Sequence, residues 1–217
     1  MLTQKEYWDK KIKQWSSLAY GKTVKLNVLE RIASFFRATN TRKEVTLKLI
    51  GPKVKGKTIL DLGCGFGEFS ISLLMRYGPK KIIAIDISDV AIKEIKKLAK
   101  SLKLDEKIEL RVEDVTKIDR LPNFDILVGI GLIDYLNSEQ LKRLFNLMGE
   151  KSFIFSYCEK KLSFLNILHN IYLSIQRGPK FYKYTKKDLR ALIPKNSRLF
   201  FIKKNGFQFI TNSMQMK

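Results

Sequence analysis

Asp61-Leu62-Gly63-Cys64-Gly65-Phe66-Gly67 decides the reading of this 217-residue chain. The stretch follows a short apolar run, Thr58-Ile59-Leu60, and opens onto Glu68 to Tyr77, whose apolar residues recur at helical spacing. A strand that ends in an acid, turns through three alternate glycines and enters a helix is the first step of a doubly wound α/β sheet. Glycine supplies the tight turn and lets a ligand approach the main chain. A lone G-x-G is weak evidence, so its surroundings carry the argument.

Downstream, Ile82 to Ile85 is a second apolar run, and it ends at Asp86, 19 residues beyond Gly67. An acid in that place accepts hydrogen bonds from a ribose diol. Asp89 to Leu102 reads as a Lys-rich amphipathic helix capped by Ser88 or Asp89. Ile108 to Val112 is a third strand, followed by Asp114, which can meet an adenine edge. Phe124 to Ile130 and Ser152 to Phe155 are predicted strands four and five, with a helix over Ser138 to Met148 between them. This alternation implies βαβ units and a parallel sheet. After Tyr157 the rhythm breaks. Leu162 to Gln176 reads as a helix, Arg177-Gly178-Pro179 as a turn, and Thr185 to Leu192 as a short helix with Thr185 and Asp188 forming a capping box. Leu199 to Lys203 and Phe207 to Thr211, joined by Asn205-Gly206, form a predicted closing hairpin. Upstream, Lys5 to Ile50 is helical by the spacing of Trp8, Ile12, Trp15, Val28, Ile32, Phe35 and Phe36. The expected organisation is an N-terminal helical cap over residues 1–56 and a Rossmann-like domain over 57–217. Residues 157–196 form an insertion on the substrate side.

Three consecutive strand ends thus line one crevice at the carboxyl side of the sheet, a site for an adenosine-containing ligand. The bland alternative is a structural βα turn with acidic caps. A dinucleotide fingerprint would bring a helix N-terminus onto the pyrophosphate. Here the loop reads G-x-G-x-G behind Asp61, an acid that repels a pyrophosphate but accepts from the ammonium of a methionine group. The residues favour S-adenosylmethionine over NAD.

The glycine stretch, Ile85-Asp86-Ile87-Ser88, Glu113-Asp114-Val115 and Phe124-Asp125-Ile126-Leu127-Val128 resemble the successive motifs of class I S-adenosylmethionine-dependent methyltransferases. The resemblance covers residues 57–156 firmly. It implies a seven-stranded, mostly parallel sheet with helices on both faces and an antiparallel C-terminal hairpin. It also implies site roles. Asp61, Gly63, Gly65 and Gly67 would contact the methionine part, Asp86 would hold the ribose, and Ile87 would pack on adenine. Asp114 and Val115 would face the adenine edge, with Gly129 to Gly131 beneath the sulfonium. More loosely, Trp15 to Arg42, Leu132-Ile133-Asp134-Tyr135 and Phe153 to Leu192 look similar to magnesium-protoporphyrin and ubiquinone-pathway O-methyltransferases. That likeness implies Arg42 as a ligand of the cofactor carboxylate. Where the porphyrin branch has a His before the Tyr, this chain has Asp134.

Methyl transfer from a sulfonium is a direct displacement, so alignment and water exclusion matter most. A carboxylate or amine acceptor needs little base catalysis, whereas a hydroxyl needs a positioned base. Candidates near the acceptor are Asp134, Tyr135 and His169, with Tyr157 behind them. The first reading of His169 is a packed helix residue, and that of Tyr135 a wall of the cofactor site, ahead of any acid–base role. Tyr7, Trp8, Trp15 and Tyr20 are either helix packing or a lid that folds over the crevice.

The chain carries 42 Lys and Arg against 21 Asp and Glu, a formal charge of +21. The excess is +9 over residues 1–56, +1 over 57–156 and +11 over 157–217. Nucleic acid is the first partner such a charge suggests. Against it stand the absence of Asn-Pro-Pro-Tyr after strand four, where the chain reads Gly131-Leu132-Ile133-Asp134, and a Lys-to-Arg ratio of 32 to 10. A non-enzymatic cofactor-binding scaffold is a second rival. Lys160-Lys161 and Lys180 to Lys187 around an apolar stretch also allow peripheral contact with an anionic bilayer. Two cysteines and one histidine exclude a disulfide framework and a four-ligand zinc site. The first residues show no apolar signal region, and Leu162 to Ile175 is too short to span a bilayer. The expectation is a reduced, cytoplasmic enzyme that methylates a small, anionic or lipophilic acceptor, O-methylation preferred, yielding S-adenosylhomocysteine.

Overall fold

The computed structural model describes residues 3–19, 39–160, 179–194 and 197–213. The predicted helix Leu162 to Gln176, His169, Tyr20 and the apolar positions from Val28 to Phe36 lie outside the described residues. Seven strands form one sheet: β1 (Thr58–Leu62), β2 (Lys81–Asp86), β3 (Ile108–Val112), β4 (Ile126–Ile130), β5 (Ser152–Tyr157), β6 (Phe200–Lys204) and β7 (Phe207–Thr211). Their order is β3-β2-β1-β4-β5-β7-β6. The first five run parallel, and β7 pairs antiparallel with both β5 and β6. Around them lie α1 (Gln4–Ala19), α2 (Thr39–Ile50), α3 (Glu68–Tyr77), α4 (Asp89–Ser101), α5 (Ser138–Met148) and α6 (Lys186–Leu192).

The chain runs outward from β1 to β3, then returns to the centre and runs outward again through β4 and β5. Right-handed crossovers therefore place α3 and α4 on one face and α5 on the other. Side-chain alternation along each strand fills both layers. Ile59, Ile82, Ala84, Val128, Ile154 and Phe209 face α2, α3 and α4, and α2 adds Val45, Leu47 and Ile50 to that core. Leu60, Leu62, Ile83, Leu127, Phe153, Phe155 and Ile210 face α5 and α6. The reversal between β1 and β4 leaves a crevice at their carboxyl ends, the place where open α/β sheets bind ligands.

Local sequence explains the element ends. Ser88 caps α4 by accepting from Ala91 N–H. Asn137 and Gln140 form a reciprocal capping box on α5, and Thr185 and Asp188 form the predicted one on α6. The predicted fourth strand, Phe124 to Ile130, begins two residues later, because Asp125 Oδ2 instead accepts from Thr58 N–H at the mouth of β1.

Phe155 has no exposed surface and contacts Phe145 and Phe153 at centroid distances of 5.9 and 5.5 Å. Phe155→Ala is expected to cost about 3–5 kcal/mol of stability, read from the urea midpoint at unchanged slope.

Candidate functional site

Gly63, Gly65 and Gly67 have φ of 71°, 56° and 83°, left-handed values that other side chains adopt only with strain. At Gly67 packing adds a second reason, since a Cβ there would stand 2.6 Å from Ile95 Cγ1. The loop is pinned to the end of β2. Gly63 and Cys64 N–H donate to the Ile85 carbonyl at 2.8 and 3.2 Å, and Gly65 N–H donates to Asp86 Oδ2 at 2.9 Å. Asp86 Oδ1 accepts from Ser88 N–H at 2.9 Å. Burial pushes the Asp86 carboxyl up to about 6, against the pull of the Ser88 and Gly65 amides.

The predicted nucleoside residues meet at adjacent strand ends. Ile87 is half-buried beside Asp86. Glu113 N–H donates to the Asp86 carbonyl at 3.0 Å, which brings the loop after β3 alongside. There Asp114 Oδ1 accepts from Thr116 N–H and Oγ1 at 3.0 and 2.7 Å, and Val115 packs against the α5-side core. Asp61 is 2% exposed and accepts from Ser70 Oγ on α3 at 2.6 Å. Burial raises its carboxyl to about 7 despite that hydrogen bond. Ser70, fully buried on the apolar face of α3, is a partner that sequence reasoning missed. The signal was a lone hydroxyl among apolar neighbours.

Gly129, expected beneath the sulfonium, has a packing reason to be glycine. A Cβ there would lie 2.5 Å from the Phe155 ring. Gly131, at φ 74°, donates its N–H to Ser156 Oγ at 2.8 Å, and its open side faces Arg42. Arg42 reaches this spot from α2. It is 8% exposed, lies over the Phe207 ring at 5.6 Å, and brings Nη1 to 3.9 Å from Asp134 Oδ2. Asp134 is 1% exposed and accepts at Oδ1 from Cys158 N–H at 2.8 Å. Burial lifts its carboxyl to about 6, with Arg42 opposing. Lys183, read in the sequence only as part of the basic run Lys180 to Lys187, is lowered by burial while Cys158 and Asp134 favour its charge. Tyr182 N–H donates to the Asp134 carbonyl at 2.7 Å, so the chain after β5 is tied to this cluster.

Two of the N-terminal aromatic residues, Tyr7 and Trp8, are described, and α1 packs over the glycine loop. Ile12 of α1 lies 3.8 Å from the position a Cβ on Gly65 would occupy. Trp8 meets Tyr135 edge-on at 4.9 Å, and Tyr135 meets Phe181 edge-on at 5.4 Å. At the rim, Asp9 accepts from Ser88 Oγ and Lys5 pairs with Asp89. The sequence showed the aromatic spacing but not that Asp9 would reach Ser88, 79 residues away. Among the described residues no group of three or more His, Cys, Asp and Glu could hold a metal ion. No helix there is long and apolar enough to cross a membrane.

Removing Trp8 should free α1. Trp8→Ala is expected to speed tryptic cleavage at Lys10, Lys11 and Lys13 while leaving the sheet folded, checked by fragment masses and circular dichroism. A second prediction concerns pH. Asp61, Asp86 and Asp134 all hold protons more tightly folded than at their ordinary value of 3.8. Their contribution to stability therefore falls as pH rises from about 4 to about 7 and then levels. Asp61→Asn keeps an acceptor for Ser70 and should flatten part of that fall in thermal melts across the range. An unchanged pH slope would refute the raised carboxyl.

Residues 59–150 match the family model described as a methyltransferase domain. A probable (S)-tetrahydroprotoberberine N-methyltransferase 2 of Papaver bracteatum is 26% identical over 146 residues, covering 63% of this chain and 39% of that protein. Phosphoethanolamine N-methyltransferase 1 of Triticum aestivum is 30% identical over 147 residues, covering 65% and 26%. The chain therefore spans well under half the length of these curated relatives. Among solved structures, magnesium protoporphyrin IX methyltransferase from Synechocystis PCC 6803 with bound SAH has a TM-score of 0.69 at 18% identity, covering 96% of this chain and 98% of that one. Geranyl diphosphate C-methyltransferase from Streptomyces coelicolor A3(2) has a TM-score of 0.64 at 13% identity, covering 96% and 94%. The glycine loop and the central strands fall within the segment that matches the methyltransferase-domain model, and the chain has the fold of these solved methyltransferases.

Proposed function

We propose that the chain transfers the methyl group of S-adenosylmethionine to a small-molecule acceptor, leaving S-adenosylhomocysteine. The observation that carries this reading is the glycine loop held against Asp86, with Asp114 on the next strand end. Structural neighbours solved with SAM and with SAH support it. In this reading Gly63, Gly65 and Gly67 admit the methionine part, whose ammonium end meets Asp61 and whose carboxylate meets Arg42. Asp86 takes the ribose diol, Ile87 and Val115 flank adenine, and Asp114 meets its edge. Gly129 to Gly131 lie beneath the sulfonium.

The acceptor's lone pair forms a bond to the methyl carbon as the carbon–sulfur bond breaks and its electrons pass to sulfur. The protein's part is to align the partners and keep water out, which α1 does by closing Trp8 onto Tyr135. Tyr135 walls the donor. With Arg42 taken by the donor's carboxylate, Lys183 is the described cation at the acceptor end, where Cys158 and Asp134 favour its charge. A cation there suits an anionic oxygen acceptor better than an ammonium precursor and supports O-methylation, although relatives include N- and C-methyltransferases. The aromatic row Trp8, Tyr135 and Phe181 suits a lipophilic body. A carboxylate acceptor has no proton to lose. A hydroxyl acceptor has one, and Asp134, at about 6, is the described group set to take it. His169, the third candidate, lies outside the described residues.

Calorimetry with S-adenosylmethionine tests the donor. The wild type should bind. Asp86→Ala should weaken binding about tenfold to hundredfold, the worth of hydrogen bonds to a charged group. Gly65→Arg should abolish it, since the site has left-handed backbone with Ile12 above it. No binding by a folded wild type would sink the reading. Labelled-methyl incorporation into carboxylate, phenol and amine acceptors then tests the chemistry. Transfer to amines alone would overturn the oxygen preference.

A further inference from the structure

The methyltransferase reading leaves the +11 charge of residues 157–217 without a task. The structure concentrates part of it. Lys186 Nζ and Arg190 Cζ, on α6, lie 5.8 and 5.3 Å from the centroid of Phe201 on β6. Lys160 is joined to the same corner by its N–H, which donates to the Tyr184 carbonyl at 3.2 Å. Lys203 stands two residues along the edge strand β6 from Phe201, and Lys187 follows Lys186. All five cations are exposed. Two carboxylates lie at this corner: Asp188 is engaged in the capping box with Thr185, with Lys160 and Lys187 acting on it as well, and Glu159, bridged to Tyr184, accepts from Gln208 Nε2 at 3.1 Å. None of the five cations is ion-paired among the described residues. Elsewhere several cations are paired, as in Arg76 with Glu44, Lys81 with Glu109, Arg111 with Glu109 and Arg143 with Asp119.

We infer that α6 and the β6 edge form a docking surface for an anionic lipid bilayer. The argument is charge complementarity joined to the way the charge is carried. The Lys186 ammonium and the Arg190 guanidinium lie over an aromatic ring while both side chains stay exposed, which joins cations to apolar surface as an interfacial patch does. With two cations from α6 lying over Phe201, the ring is a poor platform for a nucleic-acid base. Four of the five cations are Lys, which act as point charges rather than as bidentate readers of phosphate. In the sequence the patch brackets Leu162 to Ile175, a stretch without Asp, Glu, Lys or Arg, which has no use on a polyanion. The inference stands independently of the methyl-transfer reading.

Vesicle co-sedimentation of the full chain tests it, with phosphatidylcholine vesicles containing phosphatidylglycerol against pure phosphatidylcholine. Binding is expected only to the anionic vesicles and should fall as salt rises. The double variant Lys186→Glu/Arg190→Glu should lose about tenfold or more of that binding, since each cation near an anionic surface is worth about fivefold. Lys93→Glu/Lys97→Glu on α4 reverses the same charge elsewhere and should bind like the wild type. Melting temperatures confirm that the variants fold. The proposal is overturned by equal loss in both double variants, by no loss in the first, by wild-type binding to neither vesicle, or by wild-type binding to single-stranded RNA but not to anionic vesicles.

Discussion

The pinning of the glycine loop to the end of β2 is the constraint on which the rest of the site depends. Three amides of the loop, those of Gly63, Cys64 and Gly65, donate to Ile85 and Asp86. These bonds need a backbone that reverses twice within five residues, and that path passes through left-handed φ at Gly63, Gly65 and Gly67. One geometry then fixes several others. It sets where α3 begins, and so where Ser70 meets Asp61. It sets the direction of the Asp86 carboxyl, and it exposes a flat stretch of main chain on which α1 rests through Ile12. A side chain at Gly65 would meet α1 before it met the sheet. The lid and the loop are therefore shaped for each other.

Much of this was legible in the sequence because it is local. The β3 strand and the α5 helix fall where the apolar spacing puts them, and the Ser88 cap and the Thr185–Asp188 box form as the residue types require. Hairpin pairing of β6 with β7 follows from Asn205-Gly206, whose left-handed φ of 50° and 81° matches the tight turn. What escaped the reading is long-range. No local pattern says that Arg42 will lie beside Gly131 and Asp134, that Asp9 will reach Ser88, or that Gly129 is glycine because Phe155 crosses it on the next strand. Such contacts are set by strand order and helix crossing, which depend on the whole layer. Lys183 escaped for the same reason, since only the bond between Tyr182 and Asp134 draws its segment into the site.

The division of charge seen in the sequence has a structural counterpart. The nearly neutral middle holds five of the seven strands and their crossover helices, and several of its cations are held in pairs such as Lys81 with Glu109. Exposed pairs of this kind contribute little to stability singly, and they leave little net charge on that part of the chain. The basic ends have too few acids to do the same. At the amino end some of the excess is used, with Lys5 tying down α1 and Arg42 entering the acceptor side. At the carboxyl end, Lys160, Lys186, Lys187, Arg190 and Lys203 are left facing water.

The buried acids show the cost of building the crevice. Asp61, Asp86 and Asp134 are each raised by burial, so the folded protein without ligand holds carboxyls it would be more stable without. Asp61 has a single hydroxyl donor, Asp86 has two backbone amides, and Asp134 has one amide and a guanidinium at 3.9 Å. These partners reduce the penalty without removing it. In the proposed reading, a ligand bringing an ammonium group and a ribose diol would supply donors that the fold withholds, and only when seated in the crevice. The residues that weaken the fold would then give a methyl donor of that chemistry its affinity, since a ligand that binds the folded state alone stabilises it.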